Sequence, residues 1–351
     1  MTHKLRAEFP SWRNIPARFS RADFRNDARI FLDDRKKMET LFGRRVLRAS
    51  AFMMAVVVLM VGVAEFFCER EIIFPEVAAL CAGCFLSPRL VWTTGYVRMV
   101  LCVSLCAAFG VLIVRFVPAP VPVQFAAAVL LGQLVLFASR TTFAPLVSAI
   151  ALPVLIQTRS FVYVAAAFFL TVLVVVLRAV AVRLGIAEAV KGGSVSVPVR
   201  EFVPVLVFRM AVVCALSAFA IPAGLKFIVA PPLVVAFTEL SGRGSRAMSR
   251  PFSAVALITL CALSGSLCRL AFCAVLGLPL SSAAFVSSAA SIALVRLFGM
   301  VFPPAAALGI LALLIPAESV AFFPLQVFAG ITVFVLASAL WRKMTGGKSA
   351  S

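Results

Sequence analysis

Few side chains in this chain can do chemistry. With a single histidine, His3, and no aspartate after Asp34, the candidates beyond residue 50 are eight glutamates, nine cysteines and the arginines. One terminal histidine rules out a Ser-His-Asp set, and neither a Walker loop nor zinc-ligand spacing occurs. Cys81-Ala-Gly-Cys84 has redox-motif spacing, yet it sits in an apolar run without the context such motifs need, so the cysteines read as small packing residues. The glutamates fall at the ends of apolar segments or between them, and none is placed as a buried proton relay. The chain is expected not to be an enzyme and to need no metal or other cofactor.

What remains is basic. Arg115 and Arg269 stand at like positions late in two apolar segments. An arginine at membrane depth costs roughly 2.5 to 3.5 kcal/mol unless it reaches the interface or finds a partner. Either both snorkel to the outer interface, or they line an anion path in which helix N-termini at Pro145 and Pro304 offer free N–H groups to the same anion. The short run opened by Phe302-Pro303-Pro304, with Arg296 before it, has a counterpart opened by Phe143-Ala144-Pro145, with Arg140 before it. Arg140, Arg296, Phe302 and Pro303 complete the candidate substrate path. Serines such as Ser264, Ser287 and Ser291 read mainly as helix contacts.

The elements that must position these residues are membrane segments. Hydrophobic residues make up 63% of the chain and charged residues 13%, and the mean hydropathy is +1.08, too little polar surface for a soluble domain. The net charge of +19 does not mark a nucleic-acid face. Residues 1–50 hold 13 Lys or Arg against 6 Asp or Glu, and the other basic residues lie mostly in short connections. No nucleic-acid partner is expected.

Twelve apolar segments follow the basic start, six on each side of a polar connection, and several are shorter than the ~20 residues that span a bilayer. Landmarks repeat in order. Pro75 matches Pro232; Leu105-Cys106-Ala107 with Gly110 matches Leu260-Cys261-Ala262 with Gly265; Arg140 matches Arg296; and Phe143-Ala144-Pro145 matches Phe302-Pro303-Pro304, at offsets between 155 and 159. The expected fold is an all-α polytopic membrane protein of two parallel pseudo-symmetric halves, about six apolar segments each, some short or re-entrant, with 8 to 12 crossings. Its organisation is a basic N-terminal segment (1–49), a first membrane repeat (50–185), a linker (186–200), a second repeat (201–342) and a tail (343–351). The positive-inside rule puts the N-terminal segment, linker and tail in the cytoplasm. Over 24–47 the N-terminal segment reads either as a basic amphipathic helix on the membrane surface or as a solvated tail that fixes orientation, and it lacks the features of a cleaved signal peptide.

Each half resembles the HPP family of integral membrane proteins, named for a His-Pro-Pro motif that opens a short apolar segment. The second half does so nearly throughout and the first more loosely, with Phe143-Ala144-Pro145 keeping one of the prolines. The match is Phe302-Pro303-Pro304-Ala305-Ala306-Ala307, with Arg296 before it and Phe323-Pro324-Leu325 after it, together with Pro231-Pro232-Leu233, Arg250-Pro251 and Leu263-Ser264-Gly265. Phe302 stands where the family has histidine, so no role of that histidine carries over. Members have been linked to nitrite transport in photosynthetic organelles and cyanobacteria, and the resemblance implies a secondary transporter or channel-like carrier of a small anion in an inner membrane. The stretch 209–250 is also similar to the aromatic-acid exporters, without their large soluble domain. Two alternatives stay open beside the anion carrier: a non-transporting scaffold or sensor that works through its basic N-terminal helix, and an aromatic-acid-type exporter. The expected partners are the lipid bilayer and a small-anion solute, and an oligomer is compatible with the sequence.

Overall fold

Six apolar helices and then six more follow one another in the pattern long, short, long, long, short, long. The computed structural model describes Asp27 and residues 44–346 apart from 88, 191 and 243. The first set is α1 (Arg44–Phe66), α2 (Glu76–Phe85), α3 (Tyr96–Phe116), α4 (Val121–Ala138), α5 (Pro145–Ile156) and α6 (Val162–Arg183). The second is α7 (Val199–Ala220), α8 (Pro231–Leu240), α9 (Pro251–Cys268), α10 (Leu280–Phe298) and α11 (Pro303–Leu314), then a single turn, α12 (Ala317–Val320), and finally α13 (Phe323–Gly346). A 3-10 turn precedes each of α2 and α8, at Arg70–Ile72 and Lys226–Val229, and α9 ends in a π-helical stretch, Arg269–Val275. No strand occurs among the described residues. Eight helices are long and apolar enough to cross a membrane, which makes this an all-α, multi-pass membrane protein. Each of the twelve apolar segments holds one of α1 to α11 or α13. The proposed amphipathic helix over 24–47 lies outside the described residues except for Asp27 and the first residues of α1.

Hydrogen bonds between connections define the two ends of the bundle. At one end, Glu65 in the last turn of α1 accepts the N–H groups of Leu280 and Ser281 that open α10. Beside it Thr158, past α5, donates to Glu71 ahead of α2, and Phe227 N–H donates to Gln326 at the start of α13 (3.1 Å). At the opposite end, Thr93 N–H ahead of α3 donates to the Thr142 hydroxyl ahead of α5 (2.9 Å), and Arg250 ahead of α9 donates to the Phe298 carbonyl (2.7 Å). The chain enters α2 from the first end and leaves α2 at the second; for α5 the direction is reversed. A helix of 10 or 12 residues rises only about 15 to 18 Å, half the ~30 Å hydrocarbon thickness. Irregular lead-ins cover the rest of the distance, so each half-length helix with its lead-in runs between the two ends of the bundle beside the eight long helices.

Several helix pairs pack alike in the two sets. α3 lies on α5 as α9 lies on α11; α2 touches α6 as α8 touches α13. Across the halves, α1 packs on α10 and α7 on α4, while α2 meets α11 and α5 meets α8. Two glycines at sequence-matched positions sit at close helix crossings. A Cβ on Gly110 would stand 2.5 Å from the Ile150 carbonyl oxygen, and one on Gly265 would run into the Gly309 carbonyl. Small residues at such crossings are how membrane helices gain contact without a hydrophobic driving force between them.

Candidate functional site

Each half-length helix opens at proline. Pro75 caps α2, Pro145 opens α5, Pro231-Pro232 opens α8 and Pro303-Pro304 opens α11. Proline suits a first turn because its missing N–H would have had no partner there. None of the four N-termini has a side-chain cap. The positive ends of four helix dipoles thus have no capping side chain, and their first N–H groups turn back to the backbone carbonyls just ahead, such as those of Ala144, Ala230 and Phe302.

Those four ends converge. One small void is lined by two residues from the first turns of each helix: Glu76 and Ala79, Pro145 and Ser148, Pro232 and Val235, Pro304 and Ala307. Every pair is spaced i, i+3, which puts both members on one helix face. The void is of water size. All eight residues are buried, and Glu76 is the only charged one. Ser148 donates its hydroxyl to one Glu76 carboxyl oxygen, while Oε2 is buried without a partner among the described residues. This corrects the expectation that no glutamate is buried at depth: residues 67–75 ahead of Glu76 look like a connection, yet they carry the chain to mid-bundle.

The opposite, C-terminal ends of the half-length helices are met by arginines. Arg178, fully buried on α6, donates to the Cys84 carbonyl at the end of α2 and to the Glu188 carbonyl (3.0 Å). For α8 the donors are Arg209, to Thr238 O at 2.7 Å, and Arg342, to Leu240 O at 3.1 Å. Arg269 donates to the Ala312 carbonyl (2.9 Å) and to that of Ile315 at the end of α11. Beyond α5, Arg115 donates to Arg159 O at 2.6 Å and lies over the Phe161 ring, 4.5 Å from its centroid. A cation beside unsatisfied carbonyls at the negative end of a helix is favourable on both counts.

The structure thus sorts the sequence-predicted path residues into separate places. Pro145 and Pro304 meet at the void, with Phe302 and Pro303 buried beside it in sequence. Arg115 and Arg269 sit at the far ends of α5 and α11, two turns or more away; Arg115 is exposed and Arg269 half-buried. Arg140 is exposed in a left-handed turn (φ 50°), its carbonyl held by Val195 N–H at 2.8 Å. Arg296 donates to the Ser50 hydroxyl at 3.3 Å, at the end of the bundle that holds the start of α1.

Sequence reasoning missed Glu76, Ser148 and a buried polar cluster between α4, α7 and α8. In that cluster Arg209 donates to Gln133 Oε1 and to the Ser241 hydroxyl, both at 2.8 Å, and Gln133 donates to the Thr238 hydroxyl at 2.7 Å. The signal for it was an arginine inside an apolar helix, which needs partners; the sequence does not say which. Compared with protein-family models, curated proteins and solved structures, the chain matches none.

Proposed function

We propose that this membrane protein is a carrier of a small anion, which binds where the first turns of α2, α5, α8 and α11 meet. The observation that supports the reading most is the convergence of four uncapped helix N-termini on one void. Each turns the positive end of its dipole toward the void, a partial charge that stands in for the water an anion leaves behind. Four non-α-helical lead-ins enter this region, irregular backbone of the kind tolerated in a membrane where it surrounds a site. The HPP-like run at Phe302-Pro303-Pro304 contributes one of the four turns, and nitrite is the probe that resemblance proposes. Arg115 and Arg269 serve this carrier by holding the outer ends of α5 and α11.

The test is flux into liposomes holding the purified protein. Nitrite uptake should exceed that of protein-free vesicles, and Ala307→Leu, which fills the void, should cut it at least tenfold while the protein still elutes and melts as a folded species. Undiminished flux through a folded Ala307→Leu protein would place the path elsewhere.

A further inference from the structure

The proposed anion site already contains an anion. Glu76 is 1% exposed, one carboxyl oxygen is held by Ser148, and the other is buried without a partner among the described residues. No arginine or lysine borders the void. An ionised carboxylate so placed is costly, and the four helix N-termini offset only part of that cost. A solute anion entering the same water-sized space would bring two negative charges into contact. One proton removes the conflict, and it also turns Oε2 from an acceptor into a donor, the polarity an anion needs.

Resting on the anion-site reading, we propose that Glu76 takes up one proton with each anion bound and returns it when the anion leaves, so that the carrier is a proton–anion symporter. Water on the entry side supplies the proton, which forms the Glu76 O–H bond. That O–H donates to the anion. On the exit side the anion departs, the O–H bond breaks and the proton passes to water. No other bond changes.

The neighbours leave this role to Glu76 alone. From α6 the titratable group facing it is Tyr163, whose hydroxyl donates to the Ala149 carbonyl at 3.0 Å. α5 and α11 carry no titratable side chain, and α1 has charges only towards its ends, including Arg48 and Glu65. On α8 the one carboxyl, Glu239, lies at the far end and accepts from Trp92 Nε1 at 3.3 Å.

Proteoliposomes with a pH-sensitive dye inside and the membrane potential clamped read both fluxes, with nitrite as the probe and protein-free vesicles as baseline. The wild-type protein should acidify the lumen by about one proton per nitrite taken up, and an inward proton gradient should drive nitrite accumulation. In Glu76→Gln, which loses both the carried proton and the carboxyl that meets the anion, nitrite flux should fall, and the flux that remains should carry no acidification and no gradient-driven accumulation. Ser148→Ala, which keeps the carboxyl, should retain the ratio near one and guards against a Glu76→Gln protein that fails to fold. Nitrite flux without proton movement in the wild-type protein, or coupled flux in Glu76→Gln, overturns the symport proposal and leaves the anion carrier standing. Absence of wild-type nitrite flux overturns both.

Discussion

Replacing Gly110 by alanine tests whether the matched glycines hold the helices at their observed spacing. The new Cβ would stand 2.5 Å from both the Ile150 carbonyl oxygen and Pro153 Cγ, where ordinary contact begins at 3.4 Å, so α3 and α5 must part by nearly the difference. The obstacle includes backbone, which does not rotate away. Overpacking of this kind costs about 1 to 3 kcal/mol, and rigid neighbours favour the upper end. Alanine returns about 1 kcal/mol of helix propensity, leaving a net loss of roughly 2 kcal/mol. Gly62 on α1 is the control, because nothing lies within 4 Å of a Cβ built there. Gly62→Ala keeps the propensity gain alone, and the two variants should differ by about 3 kcal/mol. Thermal unfolding in detergent, followed with a thiol-reactive fluorophore that reports exposure of the buried Cys106 and Cys261, should place Gly110→Ala several degrees below Gly62→Ala. Gly265→Ala should fall with it. Equal melting of Gly110→Ala and Gly62→Ala would refute the close-crossing argument.

Other consequences can be checked with the same material. Arg209→Met should destabilise the protein by about 3 kcal/mol, since Gln133 Oε1 and the Thr238 carbonyl each lose a buried charged donor; a melt within a degree of wild type would count against the cluster. Arg269→Gln should lower the melting temperature more than Arg115→Gln does, because Arg269 is half-buried on two carbonyls at the end of α11 whereas Arg115 is exposed. Asp27 accepts the N–H groups of Phe252 and Ser253 at 3.1 and 3.2 Å and so acts as a remote cap for α9. Asp27→Ala should cost about 1 kcal/mol by the usual value of a cap, visible as earlier melting, and an unchanged melt would detach the N-terminal segment from the fold. That contact also affects any deletion of residues 1–40, which would remove a cap as well as the basic segment.

Hydropathy and proline placement made most of the architecture legible. The twelve segments, the short second and fifth members of each set, and helices opening at Pro145 and Pro303 all follow from apolar run length and from proline's tolerance in a first turn. The landmark match of Cys106 and Gly110 with Cys261 and Gly265 falls on equivalent helix crossings. What eluded the sequence was depth. Hydropathy counts residues, and residues 70–75, with an arginine and a glutamate among them, count as a connection although they carry the chain half-way through the bundle. Glu76 therefore looked like a segment end. The arginines' partners were unreadable as well: their side chains reach backbone carbonyls at helix ends, and no residue type marks a carbonyl as free. Partner choice for Arg209 was unreadable for the same reason, since Gln133 and Thr238 lie 76 and 29 residues away.

Because α1 rests on α10 and α7 on α4, each half lends surfaces to the other that it cannot satisfy on its own. During synthesis α4 must wait with its facing surface uncovered until residues 199–220 emerge, and α1 until residues 280–298 do. A ribosome stalled in the 184–198 connection would leave a product open to quality-control proteases. Expressed as two separate polypeptides cut in that connection, the pieces should survive only when made together, each acting as the other's assembly template.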